Sequence, residues 1–168
     1  SITPDPADVT DTLTCNPGTT TDNDAGDTVT IAYEWTINGS SSSTTLDSLS
    51  SAEFQRGDTV ICITTPNDGS EDGAPVSSSP LVIQNALPSI TSVQLTPTTA
   101  YEADTLTCSP SGWNDPDGDS PGYIYAWTVG GTVVQSATTN TLSGAFFDRD
   151  QQVLCTITPD DGLDTGTP

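Results

Sequence analysis

The residues best suited to chemistry in this chain are its aspartates. Asp115-Pro116-Asp117-Gly118-Asp119 sets three carboxylates on alternating positions, with a glycine to permit a sharp turn. Calcium takes six to eight hard oxygen ligands at about 2.3–2.6 Å, so this segment resembles half of a calcium loop. The downstream glutamate of an EF-hand is missing, which separates it from that motif. Asp160-Asp161 makes a second acidic turn, and Asp22, Asp24 and Asp27 form a weaker version early in the chain. The plainer reading is a set of solvated turns in which the short Asp side chain bonds nearby backbone. Both readings stay open, and Ca2+ is the only cofactor they suggest. The remaining chemistry is narrow. The chain has no His, and its two basic residues are Arg56 and Arg149. General base catalysis by imidazole and Schiff-base chemistry by lysine are therefore excluded. A carboxylate pair of the glycosidase type remains conceivable, but no pair of aspartates stands out, and no enzyme is expected.

The acids also constrain partners. Twenty-three acidic residues against two basic ones give a formal net charge of −21. Such a surface repels phosphate backbones, so no nucleic acid is expected, and it avoids anionic membranes. No apolar run approaches the ~20 residues of a membrane span, so no membrane insertion is expected either. Solubility, divalent cation binding and adaptation to a salty medium are three open readings of this charge.

The elements that must position these residues come in two copies. Cys15 and Cys108 are 93 residues apart, as are Cys62 and Cys155. Asp11-Thr12-Leu13-Thr14-Cys15 recurs as Asp104-Thr105-Leu106-Thr107-Cys108, and Thr65-Pro66-Asn67-Asp68-Gly69 recurs as Thr158-Pro159-Asp160-Asp161-Gly162. Repeated spacing with repeated residues means two copies of one unit. The stiff segment Asn85-Ala86-Leu87-Pro88 divides the chain into residues 1–87 and 88–168. Val29, Ile31, Tyr33, Trp35 and Ile37 alternate with polar or small residues, as do Tyr123, Tyr125, Trp127 and Val129. This period of two marks strands with one buried face. Further strands are expected near 11–15, 44–49, 59–64 and 81–84, with no helix. Several short strands at this spacing predict an all-β chain of sandwiches.

The Cys…Trp…Cys order in each copy resembles immunoglobulin-like domains. Together with Trp113-Asn114-Asp115-Pro116-Asp117-Gly118-Asp119, Tyr125-Ala126-Trp127 and the Asp160-Asp161-Gly162 turn, it is similar to the immunoglobulin-like and PKD-like tandem repeats of secreted and cell-surface bacterial proteins. A departure is that Val60 and Val153 stand where immunoglobulins carry a tyrosine before the second Cys. The resemblance implies two tandem immunoglobulin-like β-sandwiches with disulfides Cys15–Cys62 and Cys108–Cys155, and Trp35 and Trp127 packed against them. Four cysteines allow three connectivities, and only this one repeats with the unit. Disulfides place the chain in an oxidising compartment, so an extracellular or cell-surface location is expected, with no thiol left for nucleophilic catalysis. The resemblance also places the Asp115 loop and the Asp160-Asp161 turn at the same end of the second sandwich.

In the first copy Gly73-Ala74-Pro75 leads to a last strand, while the matching Gly166-Thr167-Pro168 reaches the end of the sequence, so the second sandwich is expected to lack its last strand. An open edge invites pairing, either with adjacent repeats of a longer chain or with copies of itself. The expected function is a non-catalytic structural subunit or segment of an extracellular bacterial filament, stalk or adhesin, associating head-to-tail or through strand edges. The alternative is a calcium-dependent carbohydrate-binding or adhesive module using the acidic loops and Trp113. Asn38-Gly39-Ser40 is an N-glycosylation acceptor in a turn, so glycans are a further expectation. Ile61 and Ile63, pointing outward if Val60 and Cys62 point inward, mark either a contact surface or ordinary surface apolarity.

Overall fold

Strand forms wherever the alternation of apolar and polar residues is sustained. The computed structural model describes residues 1–22 and 27–168. In chain order its strands are β1 (Ile2–Thr3), β2 (Ala7–Asp8), β3 (Leu13–Cys15), β4 (Thr30–Ile37), β5 (Ser40–Ser41), β6 (Ser48–Leu49), β7 (Thr59–Asn67), β8 (Val76–Ser77) and β9 (Leu81–Gln84), then β10 (Ser92–Thr96), β11 (Thr105–Ser111), β12 (Gly122–Val129), β13 (Thr132–Ala137), β14 (Thr141–Ser143) and β15 (Val153–Asp160). The described residues contain no α-helix, only 3₁₀ turns at Ser51–Glu53 and Gly144–Phe146. Each turn is capped by a serine, Ser50 or Ser143, whose hydroxyl accepts the N–H of Ala52 or Ala145. The chain separates into two compact units, Ser1–Ala86 and Leu87–Pro168, one residue before the expected boundary.

In the first unit one sheet has the order β1-β3-β6 and the other β2-β9-β7-β4-β5, with β8 also on β7. All pairs are antiparallel except β2 on β9. The long pair β4–β7 carries the register Trp35↔Cys62 and Ile37↔Val60. It is followed by a hairpin turn at Asn38 and Gly39, both at positive φ (51° and 80°). That is the geometry a two-residue hairpin loop requires, and Asn-Gly supplies it at low steric cost. In the second unit the sheets are β10-β11-β14 and β13-β12-β15. Trp127 sits opposite Cys155, and Gly130-Gly131 makes the equivalent tight turn.

Each sandwich closes on its own core. In the first, Trp35, Leu13, Leu49 and Val60 are fully buried with Ile83 and Cys62. In the second, Trp127, Leu142 and Cys108 are fully buried with Ile157 and Leu106. The disulfides are Cys15–Cys62 and Cys108–Cys155, each linking one sheet to the other, and no described cysteine is free. The indole N–H of Trp35 donates to Leu46 O at 2.9 Å. Trp127 donates to Thr139 O at 3.4 Å, so each buried ring keeps a partner for its polar atom.

Two expectations need correction. The strand expected over 44–49 is only Ser48–Leu49. The residues before it turn their polar groups elsewhere, with Ser42 and Thr44 hydroxyls donating to Glu53 at 2.6 Å each. The strand expected over 59–64 runs on to Asn67. Among the described residues the second unit has no counterpart of β9: β15 pairs with β12 on one side, and on the other carries an isolated bridge from Asp160 to Thr165.

Candidate functional site

The acidic loop lies between β11 and β12, and its shape is set by one side chain. Asp115 Oδ1 accepts the backbone N–H groups of Asp117, Gly118 and Asp119 at 2.8, 3.0 and 3.3 Å. Gly118 takes φ of 82°, which a residue with a Cβ adopts only under strain. This fold of the loop leaves Asp115 Oδ2 buried, with no hydrogen bond among the described residues. A second acidic turn follows β15. There Asp160 Oδ1 accepts Gly162 N–H at 2.8 Å, and Asp161 Oδ1 accepts the N–H groups of Leu163 and Asp164 at 2.7 and 2.6 Å.

The two turns approach each other. Asp115, Asp119 and Asp161, all half-buried, each offer a carboxylate oxygen within 4.8 Å of the others, so the trio could hold a metal ion. Of the five aspartates expected here, Asp117 and Asp160 are not members of this trio. Asp160 belongs to the end of β15, opposite Gly122, and caps its own turn. The first copy shows no comparable group among the described residues. There Asp22 and Asp27 flank a stretch that includes Asp24, and Asp24 lies outside the described residues.

Trp113 is half-buried at the start of this loop. Its ring stands edge-on to Tyr123, with centroids 5.7 Å apart and planes at 86°. Tyr123 in turn tilts against Tyr125 at 6.3 Å. Burial, with a smaller contribution from the Tyr123 phenol, pushes the Tyr125 hydroxyl above its ordinary value. Tyr125 belongs to the second core and Tyr123 packs against it, so this aromatic group joins that core to the start of the acidic loop.

The other expected sites are spread over the first unit. Asn38 is exposed, but both ends of its amide are in use: Nδ2 donates to Asp58 Oδ1 at 2.7 Å and Oδ1 accepts Thr59 N–H at 3.0 Å. Nδ2, the atom at which a glycan would attach, carries a second N–H beyond that bond. Val60 and Cys62 are buried, so Ile61 and Ile63 lie on the outer face of β7 and are half-buried there. Thr36 stands opposite Ile61, and Glu34 and Ser77 stand opposite Ile63. Arg56 donates to Asn85 Oδ1 at 2.6 Å, whereas Arg149, at the same repeat position, forms an exposed pair with Asp150 at 3.4 Å.

No protein-family profile matches the chain, and no curated protein matches it in sequence.

Proposed function

We propose that this chain is a non-catalytic structural segment of an extracellular bacterial filament, stalk or adhesin. The observation that carries this reading is the long edge of β15 in the second unit, which has the apolar bed of a sandwich but, among the described residues, no strand on the side away from β12. Edges of this kind are sites where another strand adds. Other features agree with it. Both units have a disulfide between their sheets, which suits an oxidising exterior. No described helix is long and apolar enough to cross a membrane. The chain has no His and no Lys for acid–base or covalent work. Electron microscopy of the native material, with sedimentation of the purified chain, tests the reading. Ordered fibres or strings with a two-unit repeat are expected, and dispersed particles that bind a ligand with enzyme-like turnover would overturn it.

A second reading has its own observation. The Asp115–Asp119–Asp161 trio, with the buried Oδ2 of Asp115, supports a divalent cation site, and the all-oxygen donor set suits Ca2+. Bound there, the ion would tie the β11–β12 loop to the turn after β15. The adjoining Trp113 would place any calcium-dependent glycan contact at this end. Millimolar Ca2+ is expected to raise the melting temperature of the chain, and Asp119→Asn with Asp161→Asn to abolish the rise. An unchanged melting temperature in the parent chain would remove this reading.

A further inference from the structure

A groove of about 670 Å³ runs along the open side of the second sandwich, lined by Leu95, Ala100, Tyr101, Phe147, Asp150 and Val153 among others. A smaller hollow of about 290 Å³, bordered by Ile90, Val93, Cys155 and Ile157, flanks the same strand β15. The first unit shows what such a bed holds. There β9 lies between β7 and β2, in the register Val60↔Leu81, Thr59↔Val82 and Ala7↔Ile83. Leu81 and Ile83 are buried, while Val82 points out. Ile83 exchanges two backbone bonds with the preceding turn: Gly57 N–H donates to Ile83 O, and Ile83 N–H donates to Asp58 O, both at 2.9 Å. Arg56 then holds Asn85, just past the strand.

Moved on by the 93-residue repeat, these positions are Ala100, Gln152, Val153, Asp150, Gln151 and Arg149. Five of the six, Ala100, Arg149, Asp150, Gln151 and Val153, line the groove. Asp150 even takes the left-handed φ of its counterpart Gly57, 66° against 85°. The bed of β9 is therefore rebuilt in the second unit, including the turn that would bond its backbone and the arginine that would hold its end.

We propose that this groove binds an extended strand of β9's pattern: two aliphatic residues at alternate positions, an uncharged backbone neighbourhood, and an amide side chain two residues past the second aliphatic. The strand comes from a partner polypeptide that carries this uncharged pattern. Charge selects against an acidic strand as occupant. Glu102, Asp148 and Asp150 border the groove and repel acidic segments, whereas residues 76–86 (Val-Ser-Ser-Ser-Pro-Leu-Val-Ile-Gln-Asn-Ala) carry no charge. The inference rests on the structural reading above and names the partner that the β15 edge would take.

The test appends residues 76–86 directly after Pro168 of the full chain, and in parallel adds the same segment as a free peptide to the isotope-labelled 168-residue chain. The appended strand is expected to raise the melting temperature of the second unit by about 10 °C, since a kilocalorie shifts a domain of this size by several degrees. The free peptide is expected to shift the amide signals of Ala100, Asp150, Gln151 and Val153. Leu81→Asp with Ile83→Asp in the peptide is expected to weaken binding at least ~100-fold, from the loss of two buried aliphatic side chains. Arg149→Gln in the chain is expected to weaken it by about threefold to tenfold. An appended strand that leaves the second unit's melting unchanged overturns the proposal. So does peptide binding that shifts Thr59 and Val60 instead of the second-unit amides, or a chain that dimerises through these same amides and ignores the peptide. Each of these results leaves the filament reading standing, because imaging of native material decides that separately.

Discussion

Several single residues carry more of this fold than their size suggests. A Cβ on Gly166 would lie 1.9 Å from the carbonyl oxygen of Pro88 and 2.9 Å from the ring of Pro159. Backbone cannot yield as a flexible side chain can, so Gly166→Ala is expected to destabilise the second unit by about 1–3 kcal/mol. Urea denaturation of the two proteins would measure it. Glu53 is a different case. Hydroxyl bonds from Ser42 and then Thr44 hold its carboxyl below the ordinary value of 4.5. A depressed folded value means that the stabilisation is fully present above the unfolded pKa and is lost as pH falls through the folded one. Glu53→Gln is therefore expected to cost on the order of 1 kcal/mol at neutral pH. The difference from the parent chain should close only as pH falls through the depressed folded pKa, where the Glu53 carboxyl takes up its proton. A gap that persists in acid would show that the carboxylate is not its source.

At the scale of elements, the strands differ in how openly the sequence declares them. Strands β4 and β12 were legible because each alternates large apolar residues with polar or small ones across a sheet buried on one face, whereas β7 was legible only as far as Thr64. The pairing of Cys15 with Cys62 and Cys108 with Cys155 was legible through repetition. The segment 44–49 was misread because serine and threonine suit both strands and side-chain-bonded arches, and only the position of Glu53 decides between them. The acidic loop was legible in part. Its residue types announce an acidic turn, and Asp115 uses one oxygen to gather three backbone N–H groups. The loop is thus a turn with no strand-like period, and the trio is completed by Asp161 from another element. The outer face of β15 gives a prediction at this scale. Leu154 is 57% exposed on that strand. Leu154→Lys is expected to reduce any strand-edge association of the chain while changing stability by less than about 0.5 kcal/mol, as read by sedimentation and thermal melting.

For the whole molecule the dominant quantity is charge. A net charge of −21 on 168 residues repels itself in the compact state. Salt shortens the range of that repulsion to about 8 Å at physiological ionic strength and about 3 Å at 1 M. The melting temperature is therefore expected to rise steadily with sodium chloride, and differential scanning calorimetry across that range would check it. If the rise with calcium chloride at matched ionic strength is larger, and vanishes in the Asp119→Asn, Asp161→Asn protein, the excess belongs to the trio and the remainder to screening. Equal rises would assign all of it to screening.

The bridges between sheets have one more consequence, for a chain pulled from its two ends. Each disulfide spans 47 residues of sequence, from Cys15 to Cys62 and from Cys108 to Cys155. Tension passes across the sulfur atoms and bypasses everything between them, including the long central strands. A unit torn open can therefore lengthen only by the residues outside its bridge. The residues inside stay slack, withholding roughly 160 Å of contour per unit at the ~3.3–3.6 Å that an extended residue spans. Stretched in a reducing buffer, the same chain would release that hidden length, so the bridges set how far a ruptured unit can give before its neighbours take the load.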